Sequence, residues 1–236
     1  MAEPQKVAVV TGASQGIGAA LVAGFRRTGY AVVATSRSIP QSEESDLMTV
    51  QGDIAESETS RRIVEQAVGR FGRIDTLINN AGIFISKPFT DYTDDDYAKL
   101  TAVNLAGFFH ITQRVIAQMV SQGAGHIVNI TTSLVDHADS TSPSALASLT
   151  KGGLAAATRA LAIEYASRGV RVNAVAPGVI QTPIYDAASY EDIAARQPLG
   201  RVGQISDIVD GILYLENAPY VTGEILHIDG GRTAGH

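Results

Sequence analysis

The feature that most constrains the fold is a glycine-rich segment close to the amino terminus, residues 11–18, with the sequence TGASQGIG. It follows a β-branched run at residues 6–10, which predicts a buried strand. After it, apolar residues recur at helical spacing and predict a helix that begins at the third glycine, Gly18. A strand, a glycine turn and a helix in this order are typical of a dinucleotide-binding unit.

Each of the three glycines has its own predicted role. Gly12 permits a tight turn, Gly16 lets the backbone approach a pyrophosphate, and Gly18 lets the helix pack closely on the strand. The start of the helix offers free N–H groups and a partial positive charge to the phosphates. The residues between the glycines are predicted to contact the cofactor as well: Ser14, Gln15 and Ile17. The alternative is a glycine turn that binds nothing.

Composition favours one α/β domain over residues 1–236, because 45% of the residues are hydrophobic and 18% are charged. A formal net charge of -6 argues against a nucleic-acid partner. The absence of cysteine excludes disulfides and thiolate metal sites, and the histidines show no ligand spacing, so no metal is expected. Neither a signal-peptide pattern nor a membrane-length apolar run is present, so we expect a cytoplasmic protein without a membrane partner.

Predicted strands alternate with predicted helices along the chain. The strands are expected at residues 6–10, 31–36, 47–51, 74–78, 125–130, 170–175 and 224–228. The helices are expected from residue 18 and at 57–71, 97–121, 144–168 and 205–216, with an acidic run at 93–96 as a helix start. This alternation predicts a Rossmann-type, doubly wound three-layer α/β sandwich with a mostly parallel sheet of about seven strands. Ligands then bind beyond the carboxyl ends of the strands, where the strand order reverses.

The end of the second strand bears on the choice of cofactor. An acidic residue there would bond the ribose 2′-hydroxyl of NAD, but the chain has Ser36 followed by Arg37. A hydroxyl and a guanidinium suit a 2′-phosphate, so NADP(H) is preferred over NAD(H). The alternative is that Arg37 is an ordinary solvated surface arginine.

Further short motifs recur along the chain: NNAG at 79–82, VNLAG at 103–107, PG at 177–178, TG at 222–223 and DGG at 229–231. Together with the glycine spacing Gly-x-x-x-Gly-x-Gly of residues 12–18, they resemble the short-chain dehydrogenase/reductase family over nearly the whole chain.

The resemblance implies a set of cofactor contacts. Asp53 and Ile54 match positions that approach the adenine, and Asn104 matches an asparagine that holds a proton-relay water. Ile180 and Thr182 would contact the nicotinamide carboxamide, which orients the ring for hydride transfer. The remaining cofactor residues that the resemblance implies are Asn80, Ala81, Gly82, Lys151, Pro177 and Gly178.

The chain departs from the family at the Tyr-x-x-x-Lys motif. Lys151 is present, but the position four residues earlier, where the family has its proton-donating tyrosine, is Ala147. In the family the lysine bonds the nicotinamide ribose and lowers the pKa of that tyrosine. A positioned general acid accelerates a reaction by roughly 10²–10⁴-fold, so Ala147 predicts slow chemistry by this route.

Other catalytic candidates lie after the fifth strand. The family's catalytic serine falls on Thr132, with Ser133 beside it, in a segment about two residues longer than usual before Ala147. His137 is a speculative replacement acid whose pKa Asp136 could raise, although an exposed loop histidine is the alternative. A mobile substrate lid is expected at 183–200, where Tyr185 and Tyr190 would shield the site or reach into it.

Three functions remain open. The first is an NADP(H)-dependent oxidoreductase that interconverts a small carbonyl and an alcohol, with its proton donor absent or rerouted. The second is a nucleotide-binding sensor or partner subunit without catalysis, and the third is an engineered Tyr-to-Ala knockout of an ordinary dehydrogenase. An apolar substrate pocket is expected from Phe84, Leu134, Val135, Val179, Ile184 and Tyr185. The resemblance implies a homo-oligomer, a dimer or a homotetramer, paired through the helices at 97–121 and 144–168.

Overall fold

The computed structural model describes residues 4–182 and 190–235, and seven strands within them form one sheet. The strands are β1 (Val7–Thr11), β2 (Ala31–Ser36), β3 (Leu47–Gln51), β4 (Thr76–Asn79), β5 (Gly125–Ile130), β6 (Val170–Pro177) and β7 (Ile225–Ile228). Their order is β3-β2-β1-β4-β5-β6-β7, and every pair of neighbours is parallel. The strand order reverses between β1 and β4, which lie side by side.

Helices cover both faces of the sheet. They are α1 (Gly16–Arg27), α2 (Ser57–Phe71), α3 (Asp94–Thr101), α4 (Gly107–Gln122), α5 (Ala145–Tyr165), α6 (Tyr190–Ala194) and α7 (Ile205–Glu216). On one face α2, α4 and α5 pack on the sheet through side chains that include Ile63, Val115 and Ala162. On the other face α1 and α7 pack through Phe25 and Ile212. The predicted doubly wound three-layer α/β sandwich is therefore confirmed, with all seven strands parallel.

The acidic run at 93–96 is a helix start, as the sequence predicted. Thr93 Oγ1 accepts a hydrogen bond from Asp96 N at 3.2 Å, and Asp96 Oδ2 accepts one from Thr93 N at 2.8 Å. This reciprocal capping box satisfies two N–H groups that the first helical turn leaves unpaired.

The long helix expected at 97–121 is interrupted, which corrects the prediction. Between α3 and α4 the chain makes a π-helical turn, Ala102–Ala106, with Asn104 buried at its centre. Helical periodicity continues through such a turn, so the apolar pattern alone gives no sign of it. The first helix also begins at Gly16 instead of Gly18, because its first turn is built on the glycine segment itself.

A buried polar cluster lies at the amino-terminal ends of the strands. His126 Nδ1 lies 2.7 Å from Glu216 Oε2, and Tyr30 OH donates to Glu216 Oε1 at 2.8 Å. Asn173 Nδ2 lies 3.0 Å from His126 Nε2, while Asn173 Oδ1 accepts from Glu224 N at 3.0 Å, which fixes the orientation of the amide. His126 Nε2 is therefore an acceptor and Nδ1 carries the proton, so the ring is neutral.

We expect His126 to make the protein sensitive to acid. Burial lowers the pKa of His126 in the folded protein. In the unfolded chain a histidine titrates near about pH 6.5, so as the pH falls the unfolded chain binds a proton at this residue before the folded protein does. Stability should fall as the pH drops below about 6.5, and His126→Gln should flatten that slope. Urea unfolding at several pH values measures this, with the half-buried His110 replaced by Gln as the matched control. Equal slopes in the two variants would contradict the assignment.

Candidate functional site

The site is built where the ends of β1 and β4 meet. Asn80 Nδ2 donates to the carbonyls of Thr11 at 2.8 Å and Gly12 at 3.1 Å. In return, Thr11 Oγ1 accepts from the backbone N–H groups of Asn80 at 3.1 Å and Ala81 at 3.0 Å. These bonds join the glycine segment to the NNAG segment at the point where the strand order reverses, which is where such sheets bind ligands.

Two glycines allow this junction to form. Gly12 has a φ of 66°, a left-handed conformation that side chains disfavour. A Cβ atom at Gly18 would lie 2.2 Å from the Gly12 carbonyl oxygen and 2.7 Å from Asn80 Nδ2. Helix α1 can approach the turn only because residue 18 has no side chain, which is the close packing that the sequence suggested.

A cleft of about 340 Å³ runs from this junction along the ends of β1, β2 and β3. It is lined by most of the residues that the sequence assigned to the cofactor: Gly12, Ser14, Gln15, Gly16, Ile17, Gly18, Ser36, Arg37, Asp53, Ile54, Asn80, Ala81, Gly82 and Thr182. Arg37 is exposed at its edge, and no salt bridge in the described part of the chain includes it. The start of α1 has no side-chain cap, so its N–H groups face this cleft without a side-chain acceptor.

A second cavity, of about 850 Å³, lies beyond the ends of β4, β5 and β6. Its lining includes the other predicted site residues: Thr132, Ser133, His137, Ala147, Lys151, Pro177, Gly178, Ile180 and Thr182. Phe84, Leu134 and Val179 line it as apolar residues, whereas Val135 packs into a core cluster instead. Ile184 and Tyr185 lie outside the described residues, as does 183–189 of the predicted lid.

Lys151 lies at the base of this cavity, and its side chain is buried. Its ammonium Nζ donates to the carbonyl oxygen of Ile130 at 2.7 Å, at the end of β5. Burial lowers the pKa of Lys151 to about 8, because the ammonium loses hydration and no charged group in the described part of the chain pairs with it. Ala147 lies one helical turn earlier on α5, and only 1% of its surface is exposed.

Asn104 does not line the cavity, but it holds the segment after β4 against α5. Its Oδ1 accepts from Ile83 N at 2.9 Å, and its Nδ2 donates to Ile83 O and to Thr150 Oγ1, each at 3.1 Å. The π-helical turn brings the asparagine side chain to these partners. The Asn104 amide thus makes two hydrogen bonds with the backbone of Ile83 and one with α5, which use most of its hydrogen-bonding capacity.

A row of buried amides below the site escaped the sequence analysis. Asn79 Nδ2 donates to Asn129 Oδ1 at 2.8 Å and to Thr112 Oγ1 at 2.9 Å. Asn129 Nδ2 in turn donates to Thr158 Oγ1 at 2.8 Å. These bonds connect β4, β5, α4 and α5, so they set the position of α5 relative to the strand ends. Asn129 inside one predicted buried strand and Asn79 directly after another were the signal that could have revealed them.

The segment after β5 is held by the carboxyl-terminal segment, which the sequence did not suggest. Asp136 Oδ2 lies 2.9 Å from His227 Nε2, so its described partner is His227 and not the neighbouring His137. Asp139 forms an ion pair with Arg232, a buried residue that lines the cavity. The idea that Asp136 tunes the pKa of His137 therefore lacks a contact.

Tyr190 contacts the backbone of Thr182, which precedes the undescribed residues 183–189. Its hydroxyl donates to Thr182 O at 2.9 Å and accepts from Thr182 N at 3.2 Å. The tyrosine thus fixes the last residue of the predicted cofactor segment, and it is not among the described residues that line the cavity.

Neither a metal centre nor a membrane helix is found among residues 4–182 and 190–235. No group of three or more His, Cys, Asp or Glu side chains there is placed to hold a metal ion. No described helix has both the length and the apolarity that a membrane span needs.

Known proteins are similar to this chain in sequence and fold. A family model described as enoyl-(acyl carrier protein) reductase matches residues 12–233. The 3-oxoacyl-(acyl-carrier-protein) reductase FabG of Thermotoga maritima is 34% identical over 241 residues, which cover 96% of this chain and 97% of that protein. The chain belongs to the short-chain dehydrogenase/reductase family.

Other members of the short-chain dehydrogenase/reductase family show its range. The glucose 1-dehydrogenase of Gluconobacter oxydans is 34% identical over 246 residues, which cover 97% of this chain and 92% of that protein. The solved structure of ElxO with NADP bound is 29% identical and has a TM-score of 0.91, covering 98% of this chain and 100% of that chain. The relatives named as reductase and dehydrogenase are oxidoreductases, and this chain shares their fold.

We expect the buried ammonium of Lys151 to lower the stability of the ligand-free protein. Lys151→Met keeps the unbranched side chain up to its fourth atom and removes the buried charge, although Ile130 loses a hydrogen bond. The free energy of unfolding at pH 7 should rise by about 2 kcal/mol. The gain should be complete below the folded pKa of about 8 and vanish as the pH approaches the ordinary lysine value. Urea unfolding measures it, and a gain that does not depend on pH would contradict this origin.

Proposed function

We propose that this chain is an NADP(H)-binding oxidoreductase that interconverts a small carbonyl compound and an alcohol by hydride transfer. The observation that supports it most is the continuity of the cleft and the cavity. Both spaces are lined by the same residues at the β1–β4 junction: Ile17, Asn80, Gly82, Ile83 and Thr182. A dinucleotide with its phosphates at α1 would thus present its nicotinamide to the cavity.

The residues present fit such a cofactor. Gly12 and Gly18 let the glycine turn and α1 pack closely at the cleft, and the uncapped start of α1 would bond a pyrophosphate there. We assign Asp53 and Ile54 to the adenine, Lys151 to the nicotinamide ribose, and Ile180 and Thr182 to the carboxamide. The bound nicotinamide would supply or accept the hydride. Thr132 and Ser133, which line the cavity, would hold the substrate oxygen.

The proposed preference for NADP(H) rests on Ser36 and Arg37. Both residues line the cleft at the end of β2, and the exposed guanidinium of Arg37 is available for a 2′-phosphate. Supporting this proposal, the structural relative ElxO has been solved with NADP bound.

The proposed substrate is small and apolar around its carbonyl or alcohol group. Phe84, Leu134 and Val179 supply apolar walls. The relatives that are named for a 3-oxoacyl thioester carrier and for glucose show that the same scaffold serves very different substrates. We propose residues 183–200 as a lid over this cavity.

We further propose a homo-oligomer, a dimer or a tetramer, formed through α3, α4 and α5. These helices carry large exposed apolar side chains, which are Tyr97, Phe109, Leu149 and Ile163. The proposed location is the cytoplasm.

Ala147 favours a second candidate, a nucleotide-binding sensor or partner subunit without catalysis. The buried alanine leaves the cofactor cleft intact but removes the family's acid. An engineered origin of Ala147 would be revealed by the sequence of the encoding gene.

We expect Arg37→Asp to reverse the cofactor preference. The new carboxylate would repel a 2′-phosphate and bond a ribose 2′-hydroxyl, so NADPH affinity should fall by about 10–100-fold while NADH affinity rises. Arg37→Gln is the matched control, since it removes the charge without adding one and should weaken NADPH binding only. Fluorescence titration measures both dissociation constants. Unchanged affinities in both variants would refute the role of Arg37.

We expect Ala147→Tyr to raise NADPH-dependent reduction by roughly 10²–10⁴-fold, because it restores a positioned acid beside Lys151. The assay follows NADPH oxidation against a panel of ketones, aldehydes and quinones. Measurable turnover by the chain as it stands would show a rerouted proton donor. If neither protein turns over any compound while both bind NADPH, the sensor function replaces the oxidoreductase.

A further inference from the structure

Reduction of a carbonyl adds a hydride to carbon and a proton to oxygen, and the family's source for that proton is missing here. We propose that the Lys151 ammonium group itself donates this proton to the substrate oxygen. The proposal rests on the proposed oxidoreductase function and deepens it by naming the acid.

Helix geometry puts the ammonium beside the missing phenol. Ala147 and Lys151 are four residues apart on α5, and helical side chains lean towards the amino-terminal end of their helix. The stem of Lys151 therefore extends over the turn that contains Ala147. The methyl group of Ala147 leaves the ammonium facing the cavity that both residues line.

The ammonium also lies at the strand end that would hold the substrate. Its Nζ is 2.7 Å from the carbonyl oxygen of Ile130, the last residue of β5, and Thr132 follows two residues later. In the described part of the chain Ile130 O is its hydrogen-bond acceptor, so two of its three N–H groups remain. One serves the nicotinamide ribose and one can reach the substrate oxygen.

The described charged groups around Lys151 do not stabilise its protonated form by pairing with it. The cavity lining that the structure describes has four other titratable side chains, which are His137, Asp139, Arg196 and Arg232, and none forms a hydrogen bond or ion pair with Lys151. Asp139 is paired with Arg232, while Gly82 after β4 and Asn104 in the π-helical turn, which lie near the ammonium, are uncharged. Burial accordingly makes this lysine a stronger acid than a solvated one.

The Lys151 ammonium occupies its position because Gly82 has no side chain there. A Cβ atom at residue 82 would lie 2.8 Å from Lys151 Nζ, 3.3 Å from Asn104 Oδ1 and 3.4 Å from Lys151 Cε. Because the nearest atom is the end of a flexible side chain, Gly82→Ala would move the ammonium at little cost in stability. It thus displaces the proposed acid without removing it.

The proposed step balances. A bound reduced nicotinamide would supply the hydride for the new C–H bond, and the electron pair of the carbonyl π bond would take a proton from Nζ to form the O–H bond. The N–H bond would break, leaving a neutral amine that regains its proton from the bulk solvent. Oxidation of the alcohol runs through the same transfers in reverse.

The test compares Lys151→Arg with Lys99→Arg, a matched exchange at an exposed lysine that pairs with Asp95 on α3. Arginine keeps the positive charge for the cofactor, but it stays protonated at all working pH values. With NADPH and a reactive ketone, Lys151→Arg should lower kcat by at least about 100-fold. The dissociation constant of Lys151→Arg for NADPH should change less than about tenfold. Lys99→Arg should change neither kcat nor this dissociation constant.

Two further measurements separate proton donation from a structural role. The kcat of the unmodified chain should fall as the pH rises through about 8, and competitive acetylation of Lys151, read by mass spectrometry without turnover, should show its midpoint at the same pH. In Lys151→Ala, small primary amines should restore turnover at rates that depend on the pKa of the amine. Gly82→Ala should lower kcat more than it weakens NADPH binding.

The outcomes are distinct. Turnover by Lys151→Arg at the unmodified rate, rescue that ignores amine pKa, or loss of the pH dependence in His137→Gln would overturn the role of Lys151 and leave the oxidoreductase function standing. Activity in Ala147→Tyr alone would also overturn it, because the ammonium would then have failed to supply the proton. Inactivity of every variant, Ala147→Tyr included, would instead reject the proposed function.

Discussion

The bonds from the Asn80 amide to the carbonyls of Thr11 and Gly12 are the contacts on which the rest of the site depends. They connect the ends of β1 and β4, the two neighbouring strands at which the chain changes direction across the sheet. Because Gly18 has no side chain, α1 can begin directly against this junction. The cleft and the cavity therefore meet at one point, with backbone N–H groups on one side and the end of β5 on the other.

Below this junction, buried amides fix α5 independently of the residue at position 147. Asn79, Asn129 and Thr158 connect two strands to the helix, and Asn104 connects it to the segment after β4. Unpaired amides in an apolar core are costly, so each of these bonds strongly favours one arrangement. Alanine is the best helix former, so α5 forms readily with alanine at position 147. The loss of the phenol thus changes the chemistry of the site while its scaffold persists.

The sequence was most informative where local rules decide the structure. Alternation of strands and helices predicted the sheet, and the predicted cofactor residues around Gly12–Gly18 do line one cleft, since glycine spacing and strand ends are local properties. It was least informative where partners are distant in the chain. The π-helical turn at Asn104 depends on Ile83, while Asp136 and Asp139 find partners about ninety residues away, in His227 and Arg232. No periodicity or motif records such pairings.

The long-range pair of Asp139 and Arg232 also contributes to the electrostatics of the cavity. Arg232 is buried, but Asp139 neutralises it at the wall, whereas Lys151 at the base has no counter-ion among the described residues. Among the described residues, the Lys151 ammonium is therefore a buried positive charge without an ion pair, at the strand end where a substrate oxygen would lie. An oxyanion that develops there gains from a fixed ammonium in a medium of low dielectric constant. The burial of this ammonium, which we expect to lower the stability of the folded protein, thus suits the base of the cavity to stabilising negative charge on oxygen.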